Sequence, residues 1–189
     1  LTEHTTKLAF YGLEFNRLHE ESFSKLLSQN TALARYKPVF DRMRATKPYQ
    51  LSDEMETFLH DQSVVGAAAW NRLFDETVAN LVFHIDGEDL PLEAAANKLS
   101  EQDRGAREAA AREIARVLRK NTSLFARVHN TLAKEKEIED RWRKMPTPQT
   151  GRHLSNHVEA EVVEALRNAV VAAYPKLSHR YYALKAKWL

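Results

Sequence analysis

The sequence contains no cysteine, which excludes disulfide frameworks, cysteine nucleophiles and thiolate zinc sites. Five glycines and six prolines in 189 residues are about half of ordinary usage. That scarcity argues against sandwiches, barrels and doubly wound sheets, which need many turns. Neither G-x-G-x-x-G nor G-x-x-x-x-G-K-[ST] occurs, so Rossmann and P-loop phosphate cradles are excluded as well. No apolar run approaches the ~18 residues of a membrane helix, and no signal-peptide pattern opens the chain. What is present is 43% hydrophobic and 29% charged residues, the usage of an ordered globular chain. A cytoplasmic, helix-rich protein without a membrane partner is expected.

The net charge of +2 conceals a polarity along the chain. Residues 51–103 hold 2 basic and 12 acidic side chains, whereas 104–152 hold 13 basic and 6 acidic. Adjacent segments of opposite sign can neutralise each other, and charge runs are usually solvated faces. Phosphate binding would need the cations on one face, with aromatic partners for single strands. In 104–144 Arg107, Arg112, Arg116, Arg119 and Lys120 fall around a helix, Glu108 and Glu113 interrupt them, and only Phe125 and Trp142 are aromatic. No nucleic-acid partner is expected.

Apolar side chains recur with helical period through most of the chain. Leu8, Tyr11, Phe15 and Leu18, with Phe10, Leu13, Phe23 and Leu26 on a second face, predict a helix to about Leu27. Thr31–Ala45 predicts another, with Pro38 early in it or kinking it and Lys47-Pro48 ending it. Ser52 reads as the N-cap of Asp53 to about His60, with Met55, Phe58 and Leu59 inward. Trp70, Leu73, Phe74, Thr77, Val78 and Leu81 form the sharpest stripe and predict a helix buried along one side. Between 82 and 92 the period changes to two, and Asp86-Gly87 predicts a small two-stranded hairpin, with Pro91 making the second arm an edge or the lead-in to a helix. Leu92–Leu99, Asp103 to about Lys120 and Ser123 to about Arg143 predict three more helices; Leu124, Val128 and Leu132 are the core stripe of the last. Met145–Gly151 reads as a linker. Asn156 with Glu159 looks like a capping box opening a helix that points Val158, Val162, Leu166 and Val170 inward. Pro175 stops that helix or begins the next. The last helix aligns Leu177, Tyr181, Leu184 and Trp188, a strip expected to be partly exposed and to promote self-association. The fold class is therefore mainly α, a multi-helix array with one β-hairpin. Leu1 is not an initiator Met and the last stripe has no C-cap, so both ends are expected to be cut.

Candidate chemistry is thin. His153 and His157 stand four apart, but H-E-x-x-H needs a Glu after the first His to act as general base, and Leu154 stands there. With Asn156 as an N-cap, His153 would precede the helix and share no face with His157. His60, His84, His129 and His179 have no second His at ligand spacing. Asp86, Glu88 and Asp89 surround a turn, where carboxylates are common. Tyr181, Tyr182 and Trp188 read as packing and rim residues, with a peptide-contacting surface as the functional alternative. No G-x-S-x-G elbow raises the case for a Ser/His/Asp triad. No catalytic, cofactor-binding or metal-ligating residue is expected in this chain.

Tyr174-Pro175-Lys176-Leu177-Ser178-His179-Arg180-Tyr181-Tyr182, continuing to Trp188-Leu189, resembles a signature stretch of the oligoendopeptidase F family. Ala69-Trp70-Asn71-Arg72-Leu73-Phe74-Asp75-Glu76-Thr77 and the Asp86-Gly87 hairpin are similar to that family too. In the same order follow Lys136–Trp142, Arg152–Asn156 and Glu161–Leu166. The resemblance is strong from about Gln50 to Leu189 and general before it. It implies a mostly helical zinc metallopeptidase of the thimet-oligopeptidase kind, enclosing a cleft that admits short peptides. The family holds zinc by two His of H-E-x-x-H and a downstream Glu, and none of these has a counterpart here. The resemblance thus implies an N-terminal helical region, 1–50, and a helical region, 51–189, preceding the catalytic core, with the linker near 145–151. Zinc and short peptides belong to the parent enzyme, whose remaining domains are this chain's expected partners. The fragment alone is expected to be inactive. A free-standing helical interaction module is the alternative.

Overall fold

Helical periodicity becomes helix almost everywhere in the computed structural model of the chain, which describes residues 11–188. The helices, in order, are α1 (11–17), α2 (Glu20–Gln29), α3 (Thr31–Ala34), α4 (Lys37–Arg44), α5 (Asp53–Gln62) and α6 (Ala67–Ala79). Strands β1 (Phe83–Ile85) and β2 (Glu88–Leu90) follow, then α7 (Leu92–Asn97), α8 (Arg104–Lys120), α9 (Thr122–Trp142), α10 (Thr150–Asn156), α11 (Ala160–Ala173) and α12 (Ser178–Trp188). Short 3-10 turns cover Lys47–Tyr49 and Lys98–Ser100. The structure is 75% helical with one two-stranded sheet, so the expected mainly α class with a hairpin holds. The described residues form two compact units. One consists of residues up to Gly66 with Glu135–Glu164, and the other of Ala67–Lys134 with Ala165 onward.

The first unit begins with a correction. One helix to about Leu27 was expected, but the chain breaks at Leu18-His19, and His19 is extended (φ −64°, ψ 145°) ahead of α2. The break is held from a distance. Arg44 donates to the Phe15 carbonyl at 3.2 Å and the Leu18 carbonyl at 3.0 Å, and Lys47 donates to Leu18 at 3.2 Å. These cations satisfy the last carbonyls of α1, which a helix end leaves without partners. Phe15, Phe23 and Phe40 pack around that end with centroids 5.3–5.8 Å apart, and the Arg44 guanidinium lies 4.8 Å from the Phe23 ring centre. The expectations for Leu8 and Phe10 lie outside the described residues. The Thr31–Ala45 helix is likewise split, with Pro38 in the first turn of α4, where its missing N–H costs nothing.

Ser52 caps α5 as expected, its hydroxyl accepting from the Met55 amide. Phe58, expected inward, is instead exposed. Asn156 does not open a helix. It ends α10, and His157 follows in the left-handed conformation (φ 53°, ψ 48°). The Val158 amide then donates to the His153 carbonyl at 3.1 Å, a Schellman-type closure that uses up the proposed capping residue.

In the second unit the expected hairpin forms, with Phe83 opposite Leu90 and Ile85 opposite Glu88. Asp86 (φ 56°) and Gly87 (φ 81°) supply the two left-handed residues of a type I′ turn. Phe83 is wholly buried, and with Leu81, Ile85, Ala95, Ala110 and Val117 it forms the core between the hairpin, α7 and α8. Asp103 caps α8 through the Ala106 amide at 2.8 Å. Val128 is the buried member of the α9 stripe.

Two expected burials fail. Leu73 and Phe74 of α6 are exposed, as are Val162, Leu166 and Val170 along α11. The core gathers on the hairpin, and Phe74 meets only the edge of it, its ring 5.6 Å from Phe125. The strip of Leu177, Tyr181, Leu184 and Trp188 is exposed, as expected.

Phe83→Ala should cost about 3–5 kcal/mol, because the pocket around a fully buried ring cannot collapse onto a methyl group. Gly87→Ala should cost about 1–2 kcal/mol through left-handed strain alone, since open space surrounds its Cβ position. Urea denaturation checks both values, and a larger loss at Gly87 than at Phe83 would contradict this account of the core.

Candidate functional site

The densest polar arrangement lies in the first unit and centres on Arg143, just past the end of α9. Its Nη1 and Nη2 donate to the two carboxylate oxygens of Glu56 on α5, at 2.6 and 2.9 Å. Nη1 also reaches the Tyr49 carbonyl at 3.2 Å, and Nε donates to Glu139 at 2.7 Å. Glu56 in turn accepts the Leu51 amide at 2.9 Å. Both partners are largely buried, with side-chain exposures of 17% and 18%. The Arg143 hydrogen bonds outweigh burial and hold the Glu56 carboxyl below its ordinary value of 4.5. The same contacts raise the Arg143 guanidinium further above its already high value. A fork-on-fork pair of this kind is fixed in geometry as well as charge.

This pair forms part of the wall of a cavity of about 560 Å³, whose lining also includes Asn16, Gln50, His60 and His157. Asn16 donates to Gln50 at 2.9 Å, while its own carbonyl oxygen is buried without a partner. Chemically the arrangement is an anchor. All three guanidinium nitrogens donate, and Glu56 is committed to its anion, whereas a general base works best with a pKa near the working pH.

A second fixed carboxylate belongs to the other unit. Glu113 on α8 accepts from Arg116 at 2.6 Å through each oxygen and takes the His84 amide at 3.0 Å. These contacts, the Arg116 bonds first, hold its pKa down to about 2. It ties strand β1 to α8.

Of the residues singled out in the sequence, His60 and His157 share the cavity with Glu56 and Arg143, the His84 backbone meets Glu113, and the others lie elsewhere. His153 lies inside α10 and His157 beyond its end, so they present no shared helical face, for a different reason than the expected N-cap at Asn156. His60 and His157 both line the cavity. His84 Nδ1 lies 3.0 Å from Asp89 across the hairpin, with both side chains exposed. Asp86 faces Lys98 at 3.8 Å, and Glu88 pairs with Ile85 in the register. His129 is exposed on α9, and the His179 ring lies 6.2 Å from Tyr174. Tyr181 and Tyr182 are exposed, edge to face at 5.4 Å. Among the described residues no three His, Asp or Glu side chains stand together as a set able to hold a metal ion. These side chains therefore do not fit the zinc that the family resemblance implies. Arg143 and Glu56 were missed by the sequence reading, and no motif joins residues 87 positions apart.

The comparisons bear out the family resemblance. Residues 14–83 match a family model described as oligopeptidase F. The match begins well ahead of Gln50, where the sequence resemblance is only general, and stops at Phe83. Among curated proteins none matches the sequence significantly. The fold is that of a crystal structure of oligoendopeptidase-F from Enterococcus faecium, with a TM-score of 0.82 at 21% identity. The alignment covers 98% of this chain and 38% of that one. Residues 14–83 are thus similar to a peptidase family, and the chain spans a little over a third of that solved protein.

Arg143→Ala should cost about 2–3 kcal/mol at pH 7, the loss of several charge-assisted hydrogen bonds in a half-buried setting. Because the folded Glu56 carboxyl titrates below its unfolded value, the pair's stabilisation is complete above the ordinary carboxylate range. It is lost as pH falls through the lowered value. Denaturation midpoints of the wild type and Arg143→Ala should therefore converge on acidification; a gap that stays constant to low pH would contradict the assignment.

Proposed function

We propose that this chain is the noncatalytic helical portion of a zinc metalloendopeptidase that hydrolyses short peptides within an internal cleft. The observation that carries the reading is the agreement between the family match over 14–83 and a fold likeness extending over 98% of the chain. H-E-x-x-H does not occur in the sequence, and on this reading the zinc and the base that activates water belong to other parts of the polypeptide. Within the chain, the anchored Glu56–Arg143 pair suits a wall element, since it fixes geometry and offers no titrating group near neutral pH. Among the described residues no helix is long and apolar enough to cross a membrane, and the cytoplasm is the compartment we assign.

The test compares two proteins. The full-length polypeptide containing these residues should bind zinc stoichiometrically and cleave a quenched fluorescent peptide, with a chelator abolishing the cleavage. The 189-residue chain should do neither. Chelator-sensitive cleavage by the purified 189-residue chain would overturn the assignment as scaffold. A coding sequence with no H-E-x-x-H beyond Leu189 would favour a free-standing interaction module.

A further inference from the structure

The second unit ends in a surface whose composition is unlike the rest of the chain. From Ala165 to Trp188 there are five cations, Arg167, Lys176, Arg180, Lys185 and Lys187, and no Asp or Glu. In the same stretch Leu177, Tyr181 and Trp188 are 67%, 50% and 72% exposed. With 3.6 residues per turn, Leu177, Tyr181, Leu184 and Trp188 fall on one stripe of α12. Arg180 and Lys187 then flank it on one side and Lys185 on the other. An apolar stripe bordered by cations on both sides is complementary to a segment that brings apolar side chains bordered by carboxylates.

We propose that this face of α12 is the docking surface for an acidic, apolar segment of the same polypeptide outside these 189 residues. The inference rests on the peptidase-fragment reading above. Two observations select this occupant. The chain spans only 38% of the solved oligoendopeptidase-F, so most of a polypeptide of that size is available to cover the stripe. A second copy is disfavoured because a symmetric pairing of α12 on α12 would set cation against cation with no carboxylate between them. An isolated apolar strip of this kind in water is otherwise an association hazard.

The test uses the full-length polypeptide treated with a carbodiimide, which joins amines to carboxylates only in direct contact. Lys185 and Lys187 should cross-link to Asp or Glu residues beyond the 189-residue stretch, within a single chain. The double variant Arg180→Glu with Lys185→Glu should abolish those links. It should lower the melting temperature of the full-length protein by several degrees, while shifting that of the 189-residue chain by less than one degree. Links only between copies would identify a second copy as the occupant and overturn the proposal. Loss of the links on adding anionic vesicles, with sedimentation on those vesicles, would identify a lipid surface and overturn it equally. No links and equal melting shifts in both proteins would mean an uncovered face. Peptide cleavage is read in parallel. Links without cleavage would leave the docking surface standing and sink the enzyme reading, and cleavage without links would do the reverse.

Discussion

The first unit is assembled from two stretches of chain far apart in sequence, and Arg143 is what ties them. Residues 49–56 approach 139–143 through three hydrogen bonds of one guanidinium, two to the Glu56 carboxylate and one to the Tyr49 carbonyl, while a fourth holds it to Glu139 on α9. Loop closure over such a separation carries an entropic cost that grows only slowly with length. A few strong, directional contacts can therefore fix a register that weak apolar contacts would leave loose. Burial without this pairing would be unfavourable for either ion. The clasp thus specifies where the chain returns, and the walls of the cavity, Asn16 and Gln50 among them, follow from that placement.

How much was legible in the sequence depends on whether the decisive partner was local. The Asp86-Gly87 turn and the Ser52 cap were readable because each is settled within about four residues. The break after Leu18 was not. It contains neither proline nor glycine, and the groups that satisfy its carbonyls, Arg44 and Lys47, arrive from 26–29 residues later. Asn156 misled for the opposite reason. Its spacing to Glu159 suits an N-cap, but the Schellman closure through His157 competed for the same residues and won. The Glu56–Arg143 pair carries no local signal whatever. The aromatic cluster of Phe15, Phe23 and Phe40 was partly visible, since Phe15 and Phe23 were each placed on an apolar face.

The helical stripes carry a separate lesson. Periodicity establishes that a face is apolar, not that something covers it. In the second unit the covered face is the one that meets the hairpin: α8 buries Ala110 and Val117 against Phe83. The α11 stripe remains largely in the open, and the α6 stripe leaves Leu73 and Phe74 exposed while Leu81 joins the core. A hydrophobic stripe in a sequence is a statement about a demand for burial, not about its being met.

Charge behaves in the same way. Counting along the sequence marks 104–152 as the basic region, yet several of its thirteen cations are answered by carboxylates close by. Arg112 pairs with Glu108, Arg116 with Glu113, Lys136 with Asp140 and Arg141 with Glu137, each within a turn of helix. Arg143 finds Glu56 and Glu139. Helical neighbours of opposite sign contribute only tenths of a kcal/mol each, but together they flatten the field that a window count would assign to the stretch. The residues after Glu164 are fewer and their total charge is smaller, and there are no carboxylates among them to do the same. Potential depends on where opposite charges are missing rather than where like charges are many. On α12, by contrast, Arg180, Lys185 and Lys187 stand beside exposed aromatic rings with no carboxylate in the helix.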